Sequence, residues 1–164
     1  MTAKHSIRFA MAALSLLLVA SLLAVPAQAA PAPEETALSS PWFRETVSGG
    51  EVYTCGLRTD GTLACWGVNS YGQATPPAGT FSQVSAGGAH TCGIQTGGTL
   101  ACWGRNNYGQ ATPPAGTYVQ VSAGYLHTCG LQTDGTLACW GYNNSGRATP
   151  PAGTFSQPRV SAGG

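Results

Sequence analysis

The chain has 164 residues, only 8% of them charged, and seven basic against six acidic side chains leave a formal net charge of +1. That balance excludes the basic footprint of a nucleic-acid binder and the polybasic stripe of a membrane-surface protein. Gly, Ser, Thr, Asn, Gln and Pro supply the polarity instead, and the chain also carries six cysteines and four tryptophans.

In chain order the first element is a leader. Lys4, His5 and Arg8 precede an apolar run from Phe9 to Val25, Pro26 ends it, and Ala27-Gln28-Ala29 forms a small-residue site. This is the pattern of a secretory signal peptide cleaved after Ala29. The apolar run is shorter than the roughly 20 residues a spanning helix requires. Residues 1–29 are thus read as signal, 30–46 as an N-terminal linker, and the mature protein as secreted, with no membrane association. Export places the cysteines where disulfides persist.

From Val47 the chain repeats. Cys55, Cys92 and Cys129 lie 37 residues apart, and Cys65, Cys102 and Cys139 keep the same shift, as do Trp66, Trp103 and Trp140. Gly61, Gly98 and Gly135 recur with them, as do Asn69, Asn106 and Asn143 and the pairs Pro76-Pro77, Pro113-Pro114 and Pro150-Pro151. The repeats are 47–83, 84–120 and 121–157, and 158–164 begins a fourth. A period of this size means stacked supersecondary units, a solenoid or a propeller. Gly or Pro interrupts every stretch before two helical turns could form, so the elements are strands.

One short strand is predicted over Val47 to Gly50, Val84 to Gly87 and Val121 to Gly124. Two richer strands follow, such as His90 to Ile94 and Thr99 to Gly104, and the Asn-Tyr-Gly-Gln and Pro-Pro-Ala-Gly segments make the long connection. The expected fold is all-β: a partial propeller of antiparallel sheets, about three blades plus the opening strand of a fourth.

Thr59-Asp60-Gly61 reads as a three-residue hairpin loop with a left-handed Gly at its end, and such a loop sets the register. Counting outward, Arg58 faces Thr62, Leu57 faces Leu63, Gly56 faces Ala64 and Cys55 faces Cys65. That rung is non-hydrogen-bonded, with Cα atoms about 4.5 Å apart, inside disulfide range. The predicted disulfides are Cys55–Cys65, Cys92–Cys102 and Cys129–Cys139. A zinc set of His90, Cys92 and Cys102 is the weaker alternative, because it has no Cys-x-x-Cys knuckle and the first repeat has Tyr53 in the His slot.

Around these residues, Val-Ser-Ala-Gly-x-x-His-Thr-Cys-Gly followed by Gly-Thr-Leu-Ala-Cys-Trp-Gly-x-Asn-x-x-Gly-Gln resembles the regulator of chromosome condensation repeat, over residues 47–164. The form with paired cysteines is similar to repeats of secreted bacterial members, among them a propeller-type β-lactamase inhibitory protein. The resemblance implies a propeller, usually seven-bladed, whose rim loops bind protein partners. Three repeats and a strand do not close such a ring. The expected explanations are truncation, a longer parent protein, or self-association through an open blade face.

The recurring tryptophans read as packing between blades. His90 and His127 lie in phase with the cysteines, as structural imidazoles. Asp60 and Asp134 occupy turn slots that Gly97 fills in the middle repeat, which argues against a catalytic triad. Glu34, Glu35, Glu45 and Glu51 form no acid-base pair, and the Asn loops hold too few carboxylates for calcium. The chain is therefore read as a non-enzyme without cofactor or metal. A binding surface uses slots that vary between repeats: Val68/Arg105/Tyr142, Tyr71/Tyr108/Ser145, and Gly88-Ala89 against Tyr125-Leu126. Tyr71, Arg105, Tyr108, Tyr125 and Tyr142 are accordingly the candidate partner-binding residues, Tyr and Arg being good anchors for a protein. The expected function is a secreted protein-binding scaffold, possible inhibitor activity included; a glycan-binding propeller and an inert fragment are the alternatives.

Overall fold

A computed structural model describes residues 47–156 and 161–163; the leader, the linker and Pro158-Arg159 lie outside the described residues. Nine strands form three three-stranded antiparallel sheets, in the orders β1-β2-β3, β4-β5-β6 and β7-β8-β9. In the first sheet β1 is Val47–Gly49, β2 Tyr53–Leu57 and β3 Leu63–Gly67. The second has β4 Phe81–Ala86, β5 His90–Gln95 and β6 Leu100–Gly104. The third has β7 Tyr118–Ala123, β8 His127–Gln132 and β9 Leu137–Gly141. The strands β1, β4 and β7 pack on one another in succession, so they form the inner side of the array.

The hairpin arithmetic holds. Leu57 pairs with Leu63, Gly56 with Ala64 and Cys55 with Cys65, and Arg58 N–H donates to the Thr62 carbonyl at 2.8 Å. Gly61 takes φ +83° at the loop's end, a conformation that glycine adopts without steric cost. Cys55–Cys65, Cys92–Cys102 and Cys129–Cys139 are bonded, each across a rung with Cα atoms 4.1 Å apart. With Cys92 and Cys102 joined, the thiolates of the zinc alternative do not exist.

The opening strand starts earlier than its sequence suggests. β4 begins at Phe81 and β7 at Tyr118, ahead of the valines, each with a register shift after its first residue. The cause lies in the preceding sheet: Phe81 N–H donates to the Gly61 carbonyl and Tyr118 N–H to the Gly98 carbonyl, both at 2.8 Å. The turn of one blade thus captures the strand of the next, and the aromatic side chain is buried.

The cores are the seams between blades. Tyr53, Cys55 and Leu63 of the first blade pack with Phe81, Val84 and Ala86 of the second, and Trp103 lies against them. Cys92, Ile94, Tyr118, Val121 and Trp140 repeat the arrangement one blade on. At each seam an indole crosses: Trp103 Nε1–H donates to the Gln73 carbonyl and Trp140 Nε1–H to the Gln110 carbonyl, both at 2.9 Å. Thr91 and Thr128 hydroxyls donate to the same two carbonyls. On the inner side, Ser48 Oγ accepts from Ala86 N–H and Ser85 Oγ from Ala123 N–H, each at 3.0 Å. Ser122 Oγ accepts from Ala162 N–H at 2.8 Å, so residues 161–163 sit where a fourth blade's inner strand would start. Trp66 departs from the framework reading: it is 55% exposed, because no described residue supplies the carbonyl that its sisters bind.

Candidate functional site

Each loop after the third strand of a blade is built by its Asn. Asn69 Oδ1 accepts from Ala74 N–H and its Nδ2 donates to Thr75 Oγ1, both at 2.8 Å. Asn106 and Asn143 repeat both bonds. A Gln closes the loop from below in two blades, where Gln73 Oε1 accepts from Tyr71 N–H and Gln110 Oε1 from Tyr108 N–H at 2.9 Å. Both glutamines are buried. Val68, Arg105 and Tyr142 N–H groups donate to the carbonyls of Val52, Ala89 and Leu126. These bonds bring the Asn loops and the turns after the inner strands to one end of the sheets; the hairpin loops with Asp60 and Asp134 lie at the other.

On that end four of the five candidate residues come together in one row across all three blades. The Arg105 guanidinium lies 5.4 Å from the Tyr71 ring centroid and 6.0 Å from that of Tyr108. Tyr108 meets Tyr142 edge to face with centroids 4.9 Å apart. Arg147, which sequence reasoning did not single out, closes the row 5.5 Å from the Tyr142 centroid. Such cation–aromatic contacts hold a guanidinium in place at about 0.5–1 kcal/mol each on a surface. Tyr71 and Tyr108 remain about half exposed.

Tyr125 stands apart from this row. Its ring packs over Gly88, where a Cβ would come within 2.7 Å of it. It lines a groove of about 340 Å³ over the inner strands together with Glu51, Gly50, Gly87 and Gly124. Row and groove share one rim.

The titratable groups are tied into structure. Asp60 Oδ1 accepts from both N–H and hydroxyl of Thr62, at 2.8 and 2.7 Å, and Asp134 binds Thr136 in the same way. These bonds hold both carboxyls below their usual range. Buried His90 places Nε2 at 2.8 Å from Thr128 Oγ1. Because that hydroxyl donates to the Gln110 carbonyl, Nε2 carries the proton, and Nδ1 has no partner among the described residues. Burial pushes the imidazole down to about 4, with nearby His127 adding to the effect; burial lowers His127 as well. Among the described residues no group of His, Cys, Asp or Glu could hold a metal ion. The rim offers aromatic faces, cations and a small groove, which is equipment for binding.

Three segments, 46–73, 81–110 and 118–147, match the regulator of chromosome condensation (RCC1) repeat. No curated protein sequence matches the chain. Among solved structures, the ectodomain of the Physcomitrella patens receptor kinase CR4 is 32% identical with a TM-score of 0.60, covering 71% of this chain and 32% of its own. The CRINKLY WD40 ectodomain of the Arabidopsis thaliana receptor kinase ACR4 is 29% identical with a TM-score of 0.57, covering 71% of this chain and 41% of its own. Prp20p of Saccharomyces cerevisiae, described with its binding to Gsp1p and histones, is 18% identical with a TM-score of 0.56, covering 64% of this chain and 32% of its own. The chain thus spans less than half the length of each.

Proposed function

Because the chain belongs to the RCC1 repeat family, we propose that it is a secreted, non-catalytic protein-binding scaffold whose recognition face is the rim carrying Tyr71, Arg105, Tyr108, Tyr142 and Arg147. The observation that carries this reading is the continuous cation–aromatic row built from slots that differ between otherwise equal repeats. The frame is constant and the rim is not, which is how a scaffold acquires specificity. Tyr125 and the adjoining groove widen the same face. Binding of Gsp1p and histones by Prp20p supports a protein as the class of partner. Three disulfides, and kinship to two receptor ectodomains, support an oxidising, extracellular setting. Inhibition of a partner enzyme would be one use of such a face.

A glycan-binding face is the weaker reading, because it needs open ring faces and Arg105 and Arg147 lie over those of the three tyrosines. The test is a peptide-display selection on the immobilised protein. Enriched binders are expected to lose at least about tenfold in affinity on Tyr108→Ala or Tyr142→Ala, as interface anchors do, and to tolerate Arg58→Gln at the opposite end. Binders that ignore both tyrosine substitutions refute the assignment of the face.

A further inference from the structure

Resting on the rim as binding face, we infer that the contact segment of the partner is an acidic peptide, its carboxylates taken by Arg105 and Arg147 on either side of the Tyr108–Tyr142 pair. Both cations stand where the sister repeats are uncharged. Arg105 replaces Val68 and Tyr142, and Arg147 replaces Gln73 and Gln110. The second replacement gives something up. Gln73 and Gln110 each accept a loop N–H through Oε1, and an arginine has no acceptor with which to repeat that bond. In exchange the third loop gains a guanidinium over the Tyr142 ring.

Among the described residues no acid is paired with either arginine. The described carboxylates are Glu51, Asp60 and Asp134. The two aspartates are bonded to threonines in the hairpin loops at the far end, and Glu51 lines the inner groove. Arg105 Nε–H is buried without a described acceptor, so it is the terminal nitrogens of this guanidinium that face a partner. Two guanidinia held over tyrosine rings, with no described acid partner and only a long Arg147 Nη2–H bond to Ser145 Oγ at 3.5 Å, are complementary to carboxylates flanking a short apolar stretch, since planar guanidinia bind carboxylates in two-pronged fashion. A basic segment would meet like charge on this rim.

The test uses the whole secreted chain with labelled poly(Glu,Tyr) and poly(Lys,Tyr) copolymers, read by fluorescence anisotropy at low and high salt. Poly(Glu,Tyr) is expected to bind, poly(Lys,Tyr) not to, and added salt to weaken the binding. The double variant R105Q/R147Q is expected to lose at least about tenfold in affinity, with Arg105→Lys recovering part of it. Arg147→Gln installs the residue of the sister repeats, so its thermal midpoint is expected to be no lower than that of the parent, which separates lost binding from lost folding. Unchanged copolymer binding in the double variant, or equal binding of poly(Lys,Tyr), overturns the inference, and so does heparin competing through the same arginines as tightly as the copolymer. If displayed peptides need Tyr108 and Tyr142 but tolerate R105Q/R147Q, the acidic partner falls and the rim assignment stands. If they tolerate the tyrosine substitutions too, both fall.

Discussion

A single hydroxyl carries much of each seam. Thr128 Oγ1 receives His90 Nε2–H and passes its own proton to the Gln110 carbonyl, so Thr128→Val leaves the buried His90 Nε2–H without its acceptor, while the carbonyl keeps the Trp140 indole. Such a loss costs about 1–3 kcal/mol. Thr54, in the equivalent slot of the first blade, has no described seam to serve, and Thr54→Val is expected to shift the urea midpoint by less than about 0.5 kcal/mol equivalent. Equal shifts at the two positions would refute the seam account. His90 adds a pH dependence whose sign is fixed. Its folded value, about 4, lies below the ordinary 6.5; between these the unfolded chain binds a proton that the folded one refuses. Stability is therefore complete above pH 6.5 and falls with pH through that window, by up to about 1.4 kcal/mol per unit. Burial is the physical reason, because protonation would place a cation out of water, next to His127 and with no described acceptor for Nδ1–H. Tyr53 fills the same slot in the first blade and reaches Thr91 at 2.8 Å without titrating in this range, so His90→Tyr is expected to reduce the slope of the urea midpoint between pH 4 and 6.5, leaving the part that His127 contributes. A slope unchanged in that variant would remove His90 as its source.

At the scale of the element, the hairpin was legible because its loop leaves no freedom: a three-residue turn ending in a left-handed Gly determines every facing pair out to the cysteines. The opening strand was only half legible. Phe81 and Tyr118 follow Pro-Pro-Ala-Gly-Thr, which reads as loop, and what makes them strand is a carbonyl in the preceding blade, 20 residues back at Gly61 and Gly98. Gln73 and Gln110 were missed for a related reason: their backbone carbonyls are the acceptors for the indoles, and no side-chain pattern announces a backbone acceptor. Arg147 escaped notice because its partner ring, Tyr142, is set beside it by the Asn143 loop and not by strand periodicity. The disulfide follows the legible part. Cys92 and Cys102 close a loop of sequence separation 10, so replacing both by Ala is expected to lower stability by at most about 3 kcal/mol. The hairpin register should survive, since Gly98 still directs the turn, and hydrogen exchange on β5 and β6 would show the same protected amides. Loss of that protection pattern would mean that the sulfur bridge, and not the loop, sets the register.

Across the whole molecule, the repeated seam makes each blade a ligand for the next, and the same side chain has a different worth at each place in the array. Trp140 is 8% exposed and Trp66 is 55% exposed, although both stand in the same Leu-Ala-Cys-Trp-Gly strand. Trp140 donates to the Gln110 carbonyl and packs edge to face on Tyr118 with centroids 6.3 Å apart. Trp140→Ala is therefore expected to cost about 3–5 kcal/mol, the range for a buried aromatic, and Trp66→Ala less than about 1 kcal/mol. Urea titration of both variants measures the difference, and iodide quenching, reduced more by Trp66→Phe than by Trp140→Phe, reports the exposure independently. Equal costs, with Trp66 shielded from iodide, would mean that the outer face of the first blade is covered in solution. The missing acceptor would then have to be a carbonyl placed as Gln73 is, and dilution would separate its sources: shielding lost on dilution comes from another copy of the chain, and shielding kept comes from the chain itself.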